Sequence, residues 1–178
     1  MFAKKDIPNQ LTYLRIAIIP LYVAAYYLPE DSRYLTQFAL FALASITDFF
    51  DGYLARKWNV MSNVGRALDP VSDKLIVAVA LIILMLDNRA HFIAVSLIIC
   101  REIWVAGLRE ALAGATVVHV SKLAKWKTAT QMIAICALLL GGLVPYAYEA
   151  GDILLWVATA LTVITGYQYS KVCLKALR

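Results

Sequence analysis

Apolar residues in this chain gather in long blocks, and short polar breaks separate one block from the next. A block of about 20 apolar residues is what a helix needs to cross the hydrocarbon core of a bilayer. Six such blocks run near residues 10–28, 34–56, 68–86, 91–113, 127–144 and 151–171. Pro29-Glu30-Asp31, Asp87-Asn88-Arg89 and Gly141-Gly142 with Pro145 mark the breaks on one side; Lys57 to Arg66 and Gly114 to Lys125 mark those on the other. The pattern predicts an all-α polytopic membrane protein, a bundle of six transmembrane helices in a single domain, 1–178, without repeat or linker. Lys4-Lys5 before an apolar run resembles a signal peptide, but Pro8, Asn9 and Arg15 interrupt the run and no small-residue cleavage pattern follows, so an uncleaved first helix is expected.

Charge orients the bundle. Arg33 and Arg89 are the only basic residues of the three outer breaks, against Glu30, Asp31, Asp87, Glu149 and Asp152. The excess of Lys and Arg elsewhere places both termini and the 57–66 and 114–125 loops in the cytoplasm. Composition agrees: 62% hydrophobic and 16% charged residues, with a mean hydropathy of +0.70, leave too little polar surface to solvate a globule. A soluble enzyme and a disordered chain are excluded. The net charge of +5 does not point to nucleic acid, because the basic residues form no dense patch. Cys100, Cys136 and Cys173 are far apart inside apolar stretches, with no zinc or disulfide spacing, and are expected to be small buried hydrophobes.

Ionisable residues at membrane depth cost about 2.5–3.5 kcal/mol each even on insertion scales, so they mark function first. Asp48 and Asp51 end the second block, and Asp69 and Asp73 open the third. Three residues apart is about 4.5 Å of helical rise and four apart about 6 Å, so each pair shares roughly one face. The short connection makes the two helices antiparallel neighbours whose four carboxylates can converge. Such a cluster needs a cation, since like charges oppose one another's ionisation, and its oxygen ligands suit Mg²⁺, Mn²⁺ or Ca²⁺. Two ions side by side could clamp the attacking and leaving oxygens at a phosphorus centre. The plainer reading, a solvated acidic helix end, does not account for what lies between. Gly52 and Ala55 keep one helix face open, and Arg56 offers a fork for phosphate. Gly65 is expected to supply the turn into the third helix, with Pro70 in its first turn.

The string Asp48-x2-Asp51-Gly52-x2-Ala55-Arg56-x8-Gly65-x3-Asp69-x3-Asp73 resembles the CDP-alcohol phosphotransferase motif at every fixed position, over residues 48–73. Three further blocks resemble bacterial phosphatidylglycerophosphate synthases of that family. They are Ile7-Pro8-Asn9-Gln10-Leu11-Thr12-Tyr13-Leu14-Arg15 with Ile19-Pro20, Arg101-Glu102-Ile103-Trp104-Val105-Ala106-Gly107-Leu108-Arg109-Glu110, and Lys125-Trp126-Lys127-Thr128-Ala129-Thr130-Gln131-Met132. The resemblance implies a six-helix homodimeric enzyme of the bacterial cytoplasmic membrane, its active site facing the cytoplasm. It implies transfer of the phosphatidyl group of CDP-diacylglycerol to an acceptor hydroxyl, with release of CMP. It further implies two Mg²⁺ ions, or Mn²⁺ in their place, one held by Asp48, Asp51 and Asp69 and the other by Asp48, Asp69 and Asp73. Asp73 would also act as general base, and Gly52, Arg56 and Ser62 would contact the CDP part.

The acceptor is read from the remaining charges. Arg101 is central in the fourth block, and Arg109, eight residues on, lies within about 80° of the same side. Lys125 and Lys127 open the fifth block. These four suit a dianionic phosphate such as glycerol 3-phosphate carries, which a serine acceptor would not require. Ordinary positive-inside charge accounts equally for Arg109 and the lysines. An internal ion pair is the alternative for Arg101, for which the adjacent Glu102 is expected to point elsewhere. Asn9 and Thr12, with Arg15, follow one side of the first helix and are candidates for the liponucleotide head; Asn9 as a plain helix N-cap is the competing reading. Rival classes are an intramembrane prenyltransferase and a divalent-cation transporter. Within the family, serine, inositol phosphate or phosphatidylglycerol are the other acceptors.

Overall fold

The computed structural model describes residues 7–58, 63–112 and 122–176, with side chains for all of these except 7–9, 31, 49–58, 63–67, 69, 70, 122 and 176. The described residues form helices α1 (Ile7–Ala24), α2 (Glu30–Trp58), α3 (Asn63–Leu86), α4 (Phe92–Ala111), α5 (Lys122–Leu140) and α6 (Ala147–Ala176), with a 3-10 turn at Ala25–Tyr27 after α1 and no strand. Each helix overlaps one of the six apolar blocks. Several ends differ from the sequence pattern: α2, α3, α5 and α6 begin in polar sequence ahead of the apolar run, while α1, α4 and α5 end before their blocks do. Glu30 and Asp31, expected in a break, form the first turn of α2, where acids favour the positive helix end. Gly65 lies inside the first turn of α3 rather than in a connection, and Pro70 falls well past that turn. Asn9 is likewise inside α1, which excludes it as the N-cap.

The chain divides into two compact units, Met1–Ile83 and Leu84–Arg178. In the first, α1 packs on α2, around Ile18, Tyr22, Phe41 and Ala44, each at most 2% exposed. Polar residues share that interior: Thr12, Arg15, Gln37, Thr47 and Ser72 are all buried. Thr47 donates its hydroxyl to its own helix, at 2.8 Å from the Leu43 carbonyl, which satisfies it without water.

In the second unit α6 packs against both α4 and α5. Asn88, at φ 57°, turns the chain out of α3, with Arg89 N–H donating back to the Leu84 carbonyl at 2.8 Å. Close approach of α5 and α6 rests on two glycines. A Cβ on Gly151 would sit 2.8 Å from the Leu138 backbone nitrogen, and one on Gly141 would sit 2.9 Å from the Tyr148 Cβ. Small residues are how apolar helices reach backbone contact.

Large apolar side chains cover the outside. Leu21, Leu43, Leu75, Ile103, Ile133 and Ile153, one from each helix, are more than two-fifths exposed, while buried threonines and charges point inward. So much exposed apolar surface is costly in water and favourable in hydrocarbon. Among the described residues, Leu123–Leu140 and Ala147–Lys175 are long and apolar enough to cross a membrane. Cys136 is half-buried and Cys173 buried, but Cys100 is exposed, contrary to the expectation for all three.

Candidate functional site

Two of the four motif carboxylates are described, and they meet. Asp48 comes from α2 and Asp73 from α3, and the same guanidinium nitrogen of Arg15, on α1, contacts both: Asp48 Oδ1 at 3.0 Å and Asp73 Oδ1 as a short ion pair. That nitrogen also donates to Ser72 Oγ at 3.1 Å. The Arg15 side chain is 1% exposed, whereas Asp48 and Asp73 remain 43% and 42% open. The cation is therefore enclosed and the carboxylates face out of the cluster. Helical phase carries Asp51 one turn beyond Asp48 and Asp69 one turn before Asp73. Their side chains and that of Arg56, like the surroundings of Gly52, lie outside the described residues, as does Ser62 altogether.

Thr12 is buried, three residues before Arg15 on the inward side of α1. Arg15, a candidate for the liponucleotide head with Asn9 and Thr12, is tied to the two carboxylates. Its position inside an apolar run was the available signal, because a cation there needs an acidic partner from another helix. Asn9 has a helix position but no described side chain.

The basic residues of the second unit do not form one cluster. Arg101 and Lys127 converge, and Glu102 joins them. Arg101 Nη1 donates to Glu102 Oε1 at 3.2 Å, and Lys127 Nζ forms a short ion pair with the same oxygen. This corrects the expectation that Glu102 points away: the long side chains bend, so adjacency on the helix does not prevent pairing. Arg101 Nη2 also donates to Thr165 Oγ1 of α6 at 3.1 Å. The side chains of Lys127, Arg101 and Glu102 are 5%, 14% and 20% exposed.

Arg109 faces α6 as Arg101 does, but about 12 Å further along the axis, exposed, with its guanidinium 5.5 Å from the Tyr169 ring centroid. Lys125 is exposed while Lys127 is buried, since two residues make about 200° of helical turn and send them to opposite faces. Glu102, expected to point away from Arg101, is the residue that joins the two cations.

A cleft of mixed character in the same unit is lined by Arg89, His91, Phe92, Tyr148, Asp152 and Trp156 among others. His91 caps α4 there, its Nδ1 accepting from Ile93 N–H at 3.3 Å, and packs 5.4 Å from the Trp156 ring.

Comparison with known proteins adds a further finding. Residues 5–164 match the CDP-alcohol phosphatidyltransferase family model. The chain is similar to the CDP-diacylglycerol–glycerol-3-phosphate 3-phosphatidyltransferase of Rickettsia felis, 46% identical over 176 residues that cover 96% of this chain and 97% of that protein. It is similar to the enzyme of the same name from Bacillus subtilis, at 42% identity over 92% of this chain and 93% of that one. The Haemophilus influenzae protein of that name is 39% identical over 95% and 94%.

Proposed function

The chain belongs to the CDP-alcohol phosphatidyltransferase family, and we propose that it transfers the phosphatidyl group of CDP-diacylglycerol to the hydroxyl of sn-glycerol 3-phosphate, giving phosphatidylglycerophosphate and CMP. Relatives named for that reaction, alike over nearly their whole length, support the substrate pair. The observation that carries the reading is the meeting of Asp48 and Asp73, from two helices, on one nitrogen of Arg15.

Hard oxygen donors already gathered around a positive charge fit a divalent cation. Asp48, Asp51, Asp69 and Asp73 would hold Mg²⁺, two ions per site, with Mn²⁺ as substitute. When bound, the metal supplies charge neutralisation for the pyrophosphate. The chain's own residues do the rest. Asp73 accepts the proton of the acceptor hydroxyl as its oxygen attacks the phosphatidyl phosphorus. The phosphorus–oxygen bond to CMP breaks, and CMP leaves with the bridging oxygen. Gly52 leaves room for the nucleotide, and Arg56, Ser62, Asn9 and Thr12 bind its head. Arg101 and Lys127 take the acceptor phosphate, with Arg109 and Lys125 drawing the anion toward the site. Such transfer depends on positioning and charge more than on covalent chemistry.

The outward apolar faces support a bilayer setting. We propose six spans in the bacterial cytoplasmic membrane with both termini and the site on the cytoplasmic side, a reading supported by the asymmetry of Lys and Arg. One domain over 1–178 and a homodimer are what the family resemblance implies. Helices α2 and α6, with 29 and 30 residues, reach about 44–45 Å. They outrun a hydrocarbon core of about 30 Å and so carry their charged ends clear of it.

The test is CMP release by the purified protein in detergent with CDP-diacylglycerol and Mg²⁺, offering glycerol 3-phosphate, serine, inositol phosphate or phosphatidylglycerol in parallel. Release with glycerol 3-phosphate alone is expected. Release with another acceptor keeps the carboxylate site and overturns the acceptor.

A further inference from the structure

We infer that Glu102 is a positioning residue for acceptor recognition, its carboxylate holding Arg101 and Lys127 together as one phosphate-binding pair. The inference rests on the acceptor proposed above and goes beyond it, since Glu102 itself meets no substrate. Oε1 of Glu102 takes a hydrogen bond from Arg101 Nη1 at 3.2 Å and an ion pair from Lys127 Nζ. One oxygen thus fixes two cations that arrive on different helices, α4 and α5. Without it they would repel at close range in a poorly screened interior.

The Arg101 guanidinium is fixed on its other side as well. Thr165 Oγ1 sends its own hydroxyl hydrogen to the Leu161 carbonyl at 2.7 Å, which turns an oxygen lone pair toward Arg101 Nη2 at 3.1 Å. The Arg101 stem lies on Gly166, where a Cβ would come within 2.8 Å of Cγ. Arg101 Nε is buried and has no hydrogen-bond partner. Two cations against one carboxylate leave the trio net positive. A dianionic phosphate complements that charge, and a neutral or zwitterionic acceptor does not.

Glu102→Gln keeps the side chain's size and removes its charge. The experiment measures CMP release by the full-length protein in detergent with Mg²⁺, varying glycerol 3-phosphate at saturating CDP-diacylglycerol and then the reverse. The expected result is a rise of about tenfold or more in KM for glycerol 3-phosphate, the scale of losing a charged hydrogen bond. The KM for CDP-diacylglycerol stays unchanged, kcat stays within about threefold, and Glu102→Asp recovers part of the loss. In a Lys127→Met background, Glu102→Gln adds less than it does in the wild type, because one of the two cations it holds is already removed. An unchanged KM for glycerol 3-phosphate, independent effects in the double variant, or equal damage to both substrates overturns the inference. If Glu102→Gln does not fold, Glu102→Asp, which keeps the charge and shortens its reach to the two cations, is read in its place; a rise confined to the KM of glycerol 3-phosphate supports the inference and no rise overturns it. Wild-type protein that ignores glycerol 3-phosphate overturns the proposed function along with it, whereas a wild type that uses it beside an unaffected Glu102→Gln overturns the inference alone.

Discussion

Arg15 and Lys127 lie buried in separate units of the molecule, and each is held by carboxylates. For Arg15 the arrangement sets a testable balance. Breaking a fully buried pair by removing one partner costs about 3–5 kcal/mol, but Asp48 and Asp73 are more than two-fifths open, so water screens part of the loss. Arg15→Gln is therefore expected to destabilise by about 1.5–3 kcal/mol. Thermal unfolding in detergent should show a larger loss with a chelator than with Mg²⁺, because a divalent cation replaces the missing charge between the carboxylates; equal losses would remove Arg15 from the site's electrostatics. Asp73→Asn addresses the chemistry itself. It should lower turnover about 10²–10⁴-fold, the usual worth of a general base, while CDP-diacylglycerol binding, read by equilibrium titration, changes little. The acidic motif was legible from spacing alone, whereas the partners of Asp48 and Asp73 were not: nothing local ties residue 15 to residues 48 and 73.

At the scale of elements, the glycines separate two uses of one residue type. Gly151 admits the backbone of Leu138, and a Cβ there would stand 2.8 Å from the Leu138 nitrogen. Gly151→Ala should cost about 1–3 kcal/mol through overpacking. Gly107, in α4, has nothing within 4 Å of a built Cβ. Gly107→Ala should be neutral or gain up to about 1 kcal/mol from helix propensity. Paired melting curves of the two variants check the contrast. Helix existence followed from apolar run length, and helix ends did not. The α1, α2, α3 and α5 ends run into polar sequence because backbone hydrogen bonding continues wherever no residue stops it, so Asn9 in α1 and Gly65 in α3 are helical rather than cap or turn.

On the scale of the whole molecule, the asymmetry of Lys and Arg predicts orientation. In a background where Cys100, Cys136 and Cys173 are replaced, a cysteine at Asn88 or Leu143 should be labelled by an impermeant maleimide on intact cells, and one added at the C-terminus should not. The reverse pattern would invert the proposed topology. The sequence by itself determined the helical class, the six apolar runs and the carboxylate motif, because run length, charge bias and helical spacing are properties of the chain in order. Only the tertiary structure decided that Arg15 bridges Asp48 and Asp73, that Glu102 gathers Arg101 and Lys127, and that Arg109 and Lys125 stand apart from that pair. Those choices depend on which helix faces meet and on how long side chains bend to bury charge beside its opposite, and neither is encoded in local spacing.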